Sequence, residues 1–151
     1  MDSGAGLTPL LLDAKREYVG QLADVTAPFV LAEFRGMYRD AAAANKTRVL
    51  YAFQMKLREV PAWNSHVVKQ HTGDIEHKYP FLGDLVAAVF VSYVKILSSI
   101  KLHHDKPNIR LKLPSNEAFV HQVYIYAARE FYSTPSLITQ DRASQAAVVR
   151  G

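Results

Sequence analysis

The stretch Phe81-Leu82-Gly83-Asp84-Leu85-Val86-Ala87-Ala88-Val89-Phe90-Val91-Ser92-Tyr93-Val94-Lys95-Ile96-Leu97-Ser98 decides the fold. Wound as a helix, it places Leu82, Leu85, Val86, Val89, Phe90, Val91, Tyr93, Val94, Ile96 and Leu97 around nearly its whole circumference. A helix that is apolar all round must be enclosed by others. A membrane span needs about 20 such residues. Here the uncharged run from Leu85 to Val94 is ten residues long, preceded by Asp84 and interrupted by Lys95. The segment therefore reads as the buried central helix of a helical bundle, with no transmembrane segment expected.

Working outward, the neighbours are amphipathic. Before the central helix, a first helix is expected from the cap at Thr8-Pro9 to about Asp24, with Leu11, Tyr18 and Leu22 on one stripe. Thr26-Ala27-Pro28 reads as a second start, since proline is tolerated in a first turn, and Val30, Phe34, Met37 and Tyr38 share the next face. A third helix carries Val49, Leu50, Phe53, Leu57 and Val60 and should stop at Pro61. A fourth begins near Trp63-Asn64-Ser65 with Val67, Val68 and Ile75, and Gly73 is a candidate point of division. Tyr79-Pro80 separates it from the central helix.

After the central helix, Ile100, Leu102, Ile109, Leu111 and Leu113 alternate with Lys101, Arg110 and Lys112. Period two suits short strands with one buried face. The intervening His103-His104-Asp105-Lys106-Pro107-Asn108 has turn composition, so a two-stranded hairpin over about 100–113 is expected, leaning on the helices. Ser115 then caps a strongly amphipathic helix with the stripe Phe119, Val120, Val123, Tyr124, Ala127, Ala128 and Phe131, ended by Thr134-Pro135. The fold expected is mainly α: a single-domain bundle of about six helices around segment 81–98, plus the hairpin. The domain spans 8–135, between a flexible N-terminus at 1–7 and a C-terminal tail at 136–151.

Composition agrees with one globular domain. The chain has 151 residues, 49% hydrophobic and 21% charged, a length that buries roughly 70% of the unfolded surface. Without cysteine it has no disulfide, thiolate metal site or cysteine nucleophile. The net charge of +4 permits anionic partners without indicating nucleic acid. Met1-Asp2-Ser3-Gly4-Ala5-Gly6 lacks the basic opening and apolar core of a secretory signal.

Residues for chemistry do not converge. His66 and His71 stand five apart, and His71, Asp74 and His77 make a polar helix face more readily than a metal site, which needs about four ligands. Adjacent His103 and His104 point to opposite sides of an extended chain. His121 sits beside the apolar stripe as a boundary residue. No serine lies in a Gly-x-Ser-x-Gly turn, and no glycine-rich phosphate loop occurs. The expectation is therefore no enzyme and no cofactor. The best polar constellation is Lys95, Lys101, Lys106, Arg110 and Lys112, a basic strip fit for phosphate or an acidic protein patch. It lacks interleaved aromatics for base stacking, so nucleic acid is possible but not favoured.

Three stretches carry a family resemblance: Phe53-Gln54-Met55-Lys56-Leu57 running into Val60-Pro61-Ala62-Trp63-Asn64; Ala88-Val89-Phe90 followed by Lys95-Ile96-Leu97-Ser98-Ser99-Ile100; and Leu111-Lys112-Leu113-Pro114 leading to Phe119-Val120-His121 and Ala128-Arg129-Glu130-Phe131-Tyr132. Over about Val49 to Leu137 the chain resembles small proteins of nucleocytoplasmic large DNA viruses of the chlorovirus, marseillevirus and iridovirus type. The resemblance implies a virion component: a minor capsid protein on the inner face of the shell, in the host cytoplasm during assembly. Its implied partners are the major capsid protein and other minor capsid proteins. Trp63, Tyr126 and Tyr132 are candidate interface aromatics, with core packing the simpler expectation for Trp63. The competing expectation is a nucleic-acid-associated or regulatory viral protein that uses the basic hairpin.

Overall fold

The computed structural model describes residues 3–100 and 112–140. Among them are five α-helices: α1 Ser3–Ala44, α2 Val49–Leu57, α3 Ser65–Lys78, α4 Leu82–Ile100 and α5 Asn116–Ser133. Two 3-10 turns, Val60–Ala62 and Pro135–Thr139, follow α2 and α5. α1 is the hub and packs against each of the other four helices.

The two helices expected before residue 45 are one continuous helix of 42 residues, about 63 Å at 1.5 Å per residue. Pro28 lies inside it. An interior proline costs about 3 kcal/mol in a helix. It is outweighed by burial on both sides, since Leu22 and Val25 before it and Val30, Leu31 and Phe34 after it are all buried, each worth about 1.5–3 kcal/mol. Thr26 ties its hydroxyl back to the Leu22 carbonyl at 3.0 Å, and Pro28 itself faces solvent. α1 ends at Ala44, and the Oδ1 of the following Asn45 accepts hydrogen bonds from the Thr47 and Arg48 amides at 3.3 and 3.2 Å. That turn swings the chain into α2.

Gly73 does not divide α3, which runs unbroken from Ser65 to Lys78. The cap expected at Ser115 forms, its hydroxyl accepting the Ala118 amide at 3.1 Å, and the Asn64 side chain accepts the Val67 amide at 3.0 Å at the start of α3. The cap expected at Thr8 does not form, since Thr8 and Pro9 lie inside α1. Replacing Ser115 by Ala should cost about 1 kcal/mol by urea titration, with no change in the folded circular dichroism spectrum.

The described residues contain no β-strand, so the expected two-stranded hairpin is overturned. Ile100, assigned to its first strand, is the last residue of α4. Lys112 and Leu113 are coil, and Leu113 borders a cleft with Phe90, Val91 and Val94. The alternating pattern is thus met at Leu113 by the side of a helix, not by a partner strand. Residues 101–111, the rest of the expected hairpin, lie outside the described residues.

The central position of 81–98 is also corrected. α4 packs lengthwise on α1 and touches α5, with Leu82, Leu85, Val86, Ser92 and Ile96 buried. Those residues make up 28% of the span Leu82–Ser99, which is long and apolar enough by composition to cross a membrane. Phe81, Val91 and Tyr93 remain exposed. The enclosed centre belongs to α1 instead, where Val30 and Phe34 have no exposed surface.

Candidate protein-interaction site

The expected basic strip is only partly described. Lys95 is exposed on α4 and borders the cleft of about 250 Å³ that includes Leu113. Lys112, also exposed, precedes Leu113 in the approach to α5. Lys101, Lys106 and Arg110 lie outside the described residues.

The three candidate aromatics separate. Trp63 is half-buried and packs on the hydrophobic core. Its ring stacks on His71 with centroids 4.7 Å apart and planes 19° from parallel. It lies 6.1 Å from the His121 ring and 5.2 Å from that of Tyr124. His121 bonds the Val60 carbonyl through Nε2 at 2.8 Å. A carbonyl only accepts, so that nitrogen carries the proton. His71 Nε2 stands 4.0 Å from the Glu33 carboxylate. Tyr124 is held protonated well above the usual tyrosine range, first by burial and then by the Glu33 and Asp74 carboxylates. The cluster locks α3, α5 and the Val60–Ala62 turn together. No group of three or more possible metal ligands gathers among the described residues.

Tyr126 and Tyr132 are exposed at 49% and 39%. Tyr132 borders a groove of about 450 Å³ between α2 and α5. Leu57, Arg58 and Pro61 form one wall; Ile125, Ala128, Arg129, Tyr132 and Ser133 form the other. Two cross-links hold the walls. Gln54 Nε2 donates to the Tyr132 carbonyl at 2.8 Å, and His121 bonds Val60 near the opposite end. The lining carries two arginines and no carboxylate. Neither guanidinium has a hydrogen-bond or ion-pair partner among the described residues. Sequence reasoning missed this pair because Arg58, in the turn after α2, and Arg129, on α5, lie far apart in the chain, each followed by a glutamate that masks the local charge.

A second surface follows the α1–α4 seam. Leu12, Lys15 and Val19 stand three and four residues apart, which puts them on one helical stripe. Lys15 Nζ lies 4.3 Å from the centre of the Tyr93 ring, so the stripe continues onto α4. Leu12, Val19 and Tyr93 are each more than 40% exposed. The same side of α1 is buried farther along, at Val30 and Phe34. Leu12 and Val19 stand beside the packed stripe of Leu11, Tyr18 and Leu22, on the open flank of the α1–α4 seam.

No curated protein and no solved structure matches the chain. The profile of a family of unknown function, DUF5764, matches residues 8–139, from the first half of α1 to the last residue of the second 3-10 turn. That match covers most of the chain, including α2 to α5 and most of α1, and the protein belongs to this family.

Proposed function

We propose that the protein is a structural subunit of a virus particle, a minor capsid protein that acts by protein–protein contact and not by turnover. The viral setting is supported by the resemblance over Val49–Leu137. The observation that carries the contact role is the Leu12–Lys15–Val19–Tyr93 flank, an apolar surface rimmed by a cation along two packed helices. Contiguous exposed apolar surface of this kind marks interaction sites, whereas isolated apolar residues do not. In this reading the flank seats on a major or minor capsid protein beneath the shell.

Quantitative proteomics of purified particles tests it, with a fixed copy number relative to the major capsid protein expected. Leu12→Glu combined with Val19→Glu should leave stability within about 0.5 kcal/mol, as exposed substitutions do, while incorporation falls severalfold. Absence from particles, together with salt-dependent DNA binding lost on charge reversal at Lys101, Arg110 and Lys112, would sink the capsid reading in favour of nucleic-acid association.

A further inference from the structure

We infer that the groove between α2 and α5 docks an acidic segment of a partner protein, one that carries two carboxylates flanking an apolar side chain. This surface is separate from the Leu12–Tyr93 flank, and the inference goes beyond the virion role, since it specifies the chemistry of a binding partner.

The floor supplies the apolar half of the recognition. Leu57 and Ala128 are buried and Ile125 half-buried, all bordering the groove. Arg58 and Arg129, one from each wall, supply the charged half. Both are exposed and unpaired among the described residues, so they engage a ligand without first breaking an ion pair. A guanidinium binds a carboxylate through two parallel N–H donors, which fixes orientation as well as charge. Exposed Tyr132 at the rim adds the residue type that, with arginine, dominates binding energy at protein interfaces. Glu59 and Glu130 follow the two arginines in sequence but do not line the groove, so its charge is positive.

Rigidity favours the same reading. The Gln54–Tyr132 and His121–Val60 bonds fix the distance between the walls before any ligand arrives, and a preformed site lowers the ordering cost of binding. The α5 wall runs from Ile125 to Ser133, about 12 Å of helix. That length matches two turns of a docked helix, with acidic residues one or two turns apart.

The test uses the full chain and fluorescein-labelled helical peptides that carry two glutamates three, four or seven residues apart with leucine between them. Fluorescence polarisation should give micromolar binding for at least one spacing. Arg58→Glu with Arg129→Glu should weaken it by at least about tenfold and confer binding of the lysine version of the same peptide. Tyr132→Ala should weaken it with both charges intact; its backbone carbonyl, which accepts the Gln54 bond, is unaffected. Circular dichroism and thermal midpoint serve as folding controls, unchanged for these exposed positions. The proposal is overturned if every peptide stays unbound up to about 1 mM, or if the double variant binds as the wild type does. A DNA duplex held through Arg58 and Arg129 while the peptides remain unbound overturns it equally.

Discussion

Phe34→Ala should remove about 3–5 kcal/mol of stability, the largest loss expected from a single side chain here. Phe34 has no exposed surface. Its ring meets Tyr124 edge-on at 6.1 Å and Phe131 at 5.5 Å, so it pins α1 to α5 through two aromatic contacts. Such pairs add about 0.5–1.5 kcal/mol each beyond the area they bury. A domain of this size holds only about 5–15 kcal/mol in total, so the variant keeps a fraction of its margin. Urea titration should show the midpoint falling by roughly 2 M at unchanged slope. Phe34→Leu, which keeps most of the volume, should lose much less. A loss below about 1 kcal/mol for the alanine variant would mean that the aromatic seam is not what joins α1 to α5.

The second large effect appears in alkali. Burial, then the Glu33 and Asp74 carboxylates, hold the Tyr124 phenol protonated well above the usual tyrosine range. In the unfolded chain a tyrosine ionises near pH 10. Above that pH the unfolded state releases a proton that the native state retains, so stability falls as pH rises. Below it both states are protonated and the contribution is complete. The slope for one group is about 1.4 kcal/mol per pH unit above pH 10. Other tyrosines and lysines titrate in the same range, so the measurement is a difference. Wild type and Tyr124→Phe are unfolded in urea from pH 8 to 12, and the gap between their stabilities should change steadily in favour of the variant only above pH 10. Parallel curves would show that Tyr124 ionises as easily folded as unfolded.

Much of the architecture is written in local pattern. The stripe from Phe119 to Phe131 lies on α5 as its spacing requires, with Val120, Tyr124, Ala127, Ala128 and Phe131 buried, and Ser115 caps it. Failures arise where a local signal meets a distant partner. Pro28 carries the mark of a helix start, but burial of Leu22, Val25, Leu31 and Phe34 holds the helix through it. The alternation around Leu113 looks like a strand until Phe90 and Val94 are seen beside it. The apolar circumference of 81–98 suggested full enclosure, yet its neighbours bury one side and leave Val91 and Tyr93 exposed. Trp63 is half-buried, packs against the core and stacks on His71. The groove arginines could not be paired from sequence, because only folding brings Arg58 and Arg129 to opposite walls.

The long first helix also sets a schedule for synthesis. Lys15 waits for Tyr93, and Phe34 for Tyr124 and Phe131, before either can close its contact. At about 5–20 residues per second the first interval alone lasts roughly 4 to 16 s on the ribosome. Until α4 and α5 emerge, only α2 and α3 are available to cover the apolar side of the nascent α1. The segment best placed to recruit a chaperone is therefore the one that ends at the centre of the finished protein.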